Sequence, residues 1–341
     1  MSQLKTNSIT HVDNGGDPNI ILYDDGSTNL TNTLTSSQNG GQLAGLRNQI
    51  INGAMVIAQR GSGPVTTTSL SGTYTCVDRF TVDDVTSSQR PVADLPGFSH
   101  TLRIINGGRY KVRQAIELNT PGYNCQFSVG STWTASLWST ADITVGSLVL
   151  VFANDHTGGG FVEAAGSQSW TAIETIGRWT RYKATVTITG TAAGTNQCLL
   201  CEFTLAEGDF SGFQFEPGPV ATPFEHRPIA TELALCQRYY YKNDNDYTTT
   251  AKDAYHLIAP YQAFPVSMRS GPITVTVRAS VSNTQNQIGE FNSGASPVYV
   301  TDRAVAIRRL STEGYEIWSS TGQLTAGPAI YRWSFDADAE L

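Results

Sequence analysis

Cys198-Leu-Leu-Cys201 has the two-residue gap of half a zinc site or a redox pair. Tetrahedral zinc needs two further ligands, and no second CxxC or HxxxH supplies them. In an alternating strand the two thiols also point to opposite faces, so the pair reads as buried, inert cysteines. Asp155-His156, followed by Thr157-Gly-Gly-Gly160, sets a titratable pair on a loop whose glycines permit positive φ. This suits a hairpin turn, and a ligand loop is the functional alternative. Asn243-Asp-Asn-Asp246 offers calcium-type oxygens but lacks the Gly and terminal Glu of an EF-hand loop, so a solvated turn is expected. Trp170, Trp179, Tyr315, Trp318 and Trp333 stand beside polar turn residues. Most tryptophans in β sandwiches are core, yet an exposed ring stacks well on the apolar C–H face of a sugar. Tyr315-Glu-Ile-Trp318, after Ser-Thr-Glu-Gly, is the stretch best suited to glycan contact. The candidate glycan-binding residues are therefore Tyr315, Trp318, Asp155 and His156.

No catalytic residue, metal or cofactor is assigned. The chain has no P-loop, no Rossmann glycine pattern after a strand, no HExxH and no GxSxG elbow. Glycoside hydrolysis needs only two suitably spaced carboxylates, which a sequence does not reveal, so a hydrolase stays open. The net charge of −7 leaves no basic stripe to neutralise phosphates, which argues against nucleic-acid binding. Five scattered cysteines point to a reducing compartment and not to a disulfide framework. The opening MSQLKTNSITHV lacks the apolar region of a signal peptide, and no apolar run reaches membrane-spanning length. Synthesis in a cytoplasm without a Sec signal, and no membrane insertion, are the expectations.

The elements that must position these residues are almost all strands. Residues 1–45 are polar, with a short run Asn19–Tyr23 ahead of the hairpin-favouring Asp25-Gly26. Strands this short need other chains or a docking partner to bury a face. From residue 46 to 224 short apolar runs alternate with Gly, Asn and Ser turns, which predicts a β-sandwich or jelly roll. Thr101–Ile105 and Arg109–Gln114 flank Asn106-Gly-Gly108 and read as a hairpin. Between 225 and 246 a proline-rich exit leads to one short helix, Thr231–Tyr240, with Thr231 as its N-cap. Leu233, Cys236 and Tyr240 line one side of it, as an interdomain or intersubunit junction. Residues 247–341 return to strands as a second, smaller β-sandwich domain.

The motifs carry a resemblance. Asn52-Gly-Ala-Met-Val-Ile-Ala-Gln-Arg-Gly61 and Cys76-Val-Asp-Arg-Phe80 look like the opening of a domain common in phage tail fibres. Gln114–Glu117, Trp133–Trp138 and Arg178–Tyr182 match its middle, which is similar to carbohydrate-binding-module jelly rolls. Gln214–Gly218, Ala221–Pro228 and Glu232–Tyr240 match its end, and Phe264–Pro272 with the terminal Ala337–Leu341 look like the distal domain that follows. The start, Leu4–His11 and Asp25–Ser27, is similar to fibres of phages of cyanobacteria. The resemblance implies a homotrimeric tail fibre in the virion. Residues 1–45 would attach it to a tail, nozzle or adaptor protein, and residues 247–341 would be a distal tip meeting a host surface polysaccharide. The alternative it implies is a tail-associated polysaccharide depolymerase.

Overall fold

The computed structural model describes residues 47–340 apart from 67–72, 84, 106–109, 119–126, 270–272, 293–298, 320 and 326–328, together with three short strands before residue 31. Those strands, Ser8–Ile9, Ile20–Leu22 and Thr28–Leu30, form an antiparallel meander, so the pairing expected around Asp25-Gly26 is present. The rest of residues 1–46, Cys125 and the Asn106-Gly-Gly108 connection lie outside the described residues.

The chain is an all-β sandwich protein with several antiparallel sheets and one helix. In the first unit a seven-stranded sheet runs in the order Thr171–Ile176, Trp179–Thr187, Thr132–Ser139, Gly208–Pro217, His100–Ile105, Thr86–Pro91, Val65–Thr66. A six-stranded sheet runs Val162–Ser169, Ser147–Ala153, Cys198–Leu205, Tyr110–Glu117, Thr81–Val82, Thr73–Tyr74. Period-2 alternation sends Trp133, Ala135 and Leu137 into the core between the sheets, while Thr134 faces out and meets Thr185 at 3.1 Å. Leu199 and Cys201 point into that core, and Cys198 and Leu200 point to the outer face, as the CLLC spacing predicted. Burial pushes the Cys198 thiol up to about 12, and Cys201 is also raised, so neither is a reactive thiolate.

One predicted pairing is wrong. His100–Ile105 pairs with Thr86–Pro91 and Gly208–Pro217, whereas Tyr110–Glu117 pairs in the other sheet with Cys198–Leu205 and Thr81–Val82. The two strands flanking Asn106-Gly-Gly108 therefore belong to different sheets. Glycine gives the same signal for a tight hairpin and for a link between sheets, and register against distant strands decides between them.

The second unit begins at Tyr240, ahead of the expected residue 247. Tyr240–Thr250 pairs along Ile330–Asp338, which also pairs Thr274–Ala279 and Gln287–Phe291; Tyr299–Ala304 completes this five-stranded sheet. Asn243–Asp246 thus lies inside a strand, at its register shift, and not in a turn. A three-stranded sheet, His256–Ala263, Gly314–Trp318 and Ala306–Ser311, packs over it. Their shared core is built on Trp333, Phe335, Tyr315, Tyr331 and Phe264. Phe335 touches the rings of Tyr241, Tyr247, Phe264 and Tyr315. Phe335→Ala should therefore lower unfolding free energy by about 3–5 kcal/mol in chemical denaturation, and a loss under 1 kcal/mol would contradict this core.

Candidate functional site

The motif blocks at 52–61, 76–80, 114–117 and 225–240 converge on the joint between the two units, while those at 133–138 and 178–182 lie in the seven-stranded sheet. The helix, Ile229–Gln237, starts one residue after Pro228, which occupies the N-cap position without a side-chain bond. Thr231 is therefore not the cap; its N–H, like that of Glu232, donates to the Pro228 carbonyl. Proline is tolerated here because the fixed φ suits the entry and the missing N–H is not needed. The helix lies on the outer face of the six-stranded sheet. There Cys236 and Tyr239, with partly buried Leu233 and Leu235, pack on Ala115, Val151, Ala153, Cys198 and Leu200. Tyr240, also buried, opens the second unit's first strand. The helix ends at Gln237, so Tyr240 lies in the following strand and not on one helix face with Leu233 and Cys236 as expected.

Asn52-Gly53 explains the first motif. Asn52 has φ of 61°, and its side chain accepts from Ile57 N–H and donates to the Ile57 and Asp78 carbonyls. Its own N–H reaches the Glu232 carboxylate. A Cβ on Gly53 would stand 2.0 Å from the Phe213 carbonyl oxygen, so only glycine fits. Gln59 then bonds the Asp78 carboxylate twice and the Tyr240 carbonyl at 2.7 Å.

At the centre stands Arg79, fully buried. It donates to the Ala115 carbonyl at 2.7 Å, stacks its guanidinium 3.4 Å from the Tyr239 ring centre, and pairs with the buried carboxylate of Glu340. Burial opposes its charge, but Glu340 together with Tyr239, Tyr74 and Cys236 more than offsets this and raises its pKa. Beside it Arg60 lies 3.6 Å from the Tyr240 ring centre and pairs with Asp338 and Glu340 at 3.4 Å each. Glu117 bridges Arg238 and Arg269, both at 3.0 Å. Glu225-His226-Arg227 is absorbed likewise. Glu225 accepts Asn48 N–H at 2.5 Å, and Arg227 holds Glu232 and the Asn48 and Ile50 carbonyls. The rings of His226, Phe98 and Phe224 pack on one another beside a cleft of about 210 Å³.

The sequence-predicted glycan residues separate. Tyr315 is a correction: it has no exposed surface, its phenol is pushed well up by burial, and it faces Phe264 and Phe335 in the second core. Trp318, three residues on, sits on the opposite face of the same strand and is half-buried. Asp155 closes its own turn by accepting from Thr157 N–H and Oγ1, and the His156 ring lies 4.9 Å from that of Tyr74, which flanks Arg60. Both sit in the hairpin turn between Ser147–Ala153 and Val162–Ser169. Trp170, Trp179 and Trp333 are buried. Among the described residues no three His, Cys, Asp or Glu side chains group to hold a metal, and no helix is long and apolar enough to cross a membrane.

What the sequence reading missed is the solvent face around Trp318. Register places His256 and Ala306 beside Trp318, and Tyr261 and Arg308 beside Glu316, all on this face. Tyr261, 48% exposed, lies across Gly314, where an added Cβ would meet its ring at 2.8 Å. Tyr255 is seated against Gly322 in the same way and equally exposed. Each ring is held on one side and open on the other. Arg308 donates to Glu316 at 2.6 Å and lies 5.7 Å from the Trp318 ring centre, and this bond holds the Glu316 carboxyl below its ordinary range. His256 is fixed by Asp253 at 2.8 Å. From Gly314 to Trp318 the row spans roughly 13 Å at about 3.3 Å per residue.

No protein-family model matches the chain, and no curated protein matches it. Solved structures give weak likenesses. One is the enzymatically active domain of tailspike protein 4 of bacteriophage CBA120, at 14% identity and TM-score 0.30 over 50% of this chain. The match spans about a fifth of that protein, 21% of its length. An apo form cyclase from Fischerella sp. matches at 12% identity and TM-score 0.29, covering 52% of this chain and 98% of the other. A Paenibacillus sp. cycloisomaltooligosaccharide glucanotransferase complexed with cycloisomaltoheptaose matches at 8% identity and TM-score 0.22, covering 81% and 46%. At such scores these likenesses carry no argument about this chain.

Two outcomes test the joint. Glu340→Gln leaves the Arg79 charge buried without its counter-ion and should cost about 3 kcal/mol or more of unfolding free energy; an unchanged denaturation midpoint would refute the pairing. Burial, only partly offset by Gln59 and Arg60, raises Asp78 from 3.8 to about 6. Between those values the folded chain binds more protons here than the unfolded one, so this group's contribution falls as pH rises through 6. At pH 7 the cost is about 3 kcal/mol. Asp78→Asn should therefore gain stability relative to the parent from pH 4 to pH 7, and a pH-independent difference would contradict the assignment.

Proposed function

We propose that the chain is a non-catalytic subunit of a viral tail fibre that adsorbs to a host by binding a cell-surface glycan. The observation that carries this reading is the face around Trp318. Its rings are held against glycines and open to solvent, and its polar groups are pre-paired, which is the arrangement a sugar's alternating C–H and hydroxyl surfaces require. The tail-fibre motifs support it from the other side. Their named residues build a buried joint, and a joint of that kind holds a distal unit at a fixed angle to the body that carries it.

In this reading residues 1–45 form a tail-attachment and trimerisation segment that docks on a tail, nozzle or adaptor protein. Residues 46–224 form the jelly-roll body, 225–239 the junction, and 240–341 the receptor-binding tip. Three copies in one virion fibre turn weak single-site affinity into avidity.

The test uses the full chain and host cells. Trp318→Ala and Tyr261→Ala, with unchanged circular dichroism, should each weaken adsorption about tenfold, as loss of an aromatic anchor does. Wild-type binding by both variants would overturn the glycan face. Release of reducing ends from the bound polysaccharide would replace adhesion by depolymerisation, and a monomer mass in light scattering at micromolar concentration would defeat the trimer.

A further inference from the structure

Arg309 is an irregular residue in an otherwise regular strand. It has φ of 49° in the left-handed region, at the register shift between Arg308 and Ser311. A side chain other than glycine, Asn or Asp rarely adopts this conformation. Consecutive residues of a regular strand point to opposite faces, and a bulge re-aims one of them. Here Arg308 and Arg309 both reach the same carboxylate. Arg308 Nη2 stands 2.6 Å from Glu316 Oε1, and Arg309 Nε stands 3.3 Å from Glu316 Oε2.

The consequence is a second guanidinium gathered on one carboxylate close to the Trp318 ring. Arg308 and Arg309 both meet Glu316, while the nearby Asp253 carboxylate is engaged by His256 at 2.8 Å. This occurs on a chain whose net charge is −7. The Arg308 side chain is 35% exposed and the Glu316 side chain 6%, whereas Arg309 is 78% exposed. Its outward edge is open to solvent. With its Nε beside Glu316, the Arg309 guanidinium leaves its two terminal nitrogens as a planar fork, which matches a carboxylate with two parallel hydrogen bonds.

We propose that the ligand of this face is a linear polysaccharide bearing uronate sugars. The Arg309 fork takes the carboxylate of one sugar while Trp318 and Tyr261 stack neighbouring rings. This rests on the reading of the Trp318 face as the glycan site and names the class of sugar that the face selects. Arg308 and Glu316 position Arg309 and remain paired beneath it. Positive charge on an acidic protein is local here, so it acts as a selective contact and not as a general attraction for polyanions.

Calorimetric titration of the full chain tests this with hexamers of glucuronate and galacturonate, a neutral glucose hexamer, and a sulfated hexamer of the same charge. The parent should bind at least one uronate hexamer about tenfold more tightly than the neutral one, and weaken on it as salt rises. Arg309→Ala, at an exposed position, should bring the uronate and neutral affinities within about twofold of each other, and Arg309→Lys should recover only part of the difference. Trp318→Ala should weaken both sugars. Equal parent affinity for uronate and neutral hexamers, no uronate binding, or unchanged selectivity in Arg309→Ala would overturn the uronate assignment. Equal affinity for the sulfated hexamer would overturn the carboxylate fork. Loss of selectivity in Arg309→Ala with unaltered binding by Trp318→Ala would instead place the failure in the aromatic face.

Discussion

A guanidinium without access to water is the constraint that organises this molecule. Removing Arg79 from solvent costs several kcal/mol unless its charge and donors are met. Its charge and its two terminal nitrogens are met from three places in the chain: the Ala115 carbonyl in the first unit, the Tyr239 ring after the helix, and the Glu340 carboxylate at the end of the second unit. Shifting any of these elements exposes a mismatch, so the two units have one relative arrangement at which the charge is balanced. Each sandwich has its own hydrophobic core, but non-directional burial would allow them to slide. Directional contacts to one buried cation do not.

The motif residues fall into place around that centre by steric and hydrogen-bonding necessity. Gly53 admits the Phe213 carbonyl, Asn52 closes the loop from 52 to 57, and Gln59 ties Asp78 to the backbone at Tyr240. Glu232, Arg227 and Glu225 anchor the helix entry to residues 48–52. These polar side chains make their hydrogen bonds within the chain.

How much of this was legible beforehand depended on whether the governing contact was local. Alternation in WTASLW and CLLC placed side chains on the correct faces, because a period of two is a property of the strand alone. Helical spacing placed Leu233 and Cys236 on one side but extended the helix to Tyr240, which belongs to the following strand, so that Tyr239 packs with them instead. The 101–114 hairpin failed because partner choice was set by strands a hundred residues away. Tyr315 and Trp318 were both nominated as exposed, yet they lie on opposite faces, a distinction that needed the sheet's orientation. Tyr261 and Arg309 gave weaker signals still. One is exposed because of a glycine on another strand, and the other is aimed by a bulge.

The ion pair between Arg79 and Glu340 joins residues 261 positions apart. A ribosome adding about 5–20 residues per second takes roughly 13–50 s to cover that distance. During that interval the first sandwich can collapse while its central cation still lacks a counter-ion. The nascent body is therefore held in a less stable form until the last strand is made. A chain that stops short of Glu340 keeps an uncompensated buried charge at the heart of the joint and is less stable there.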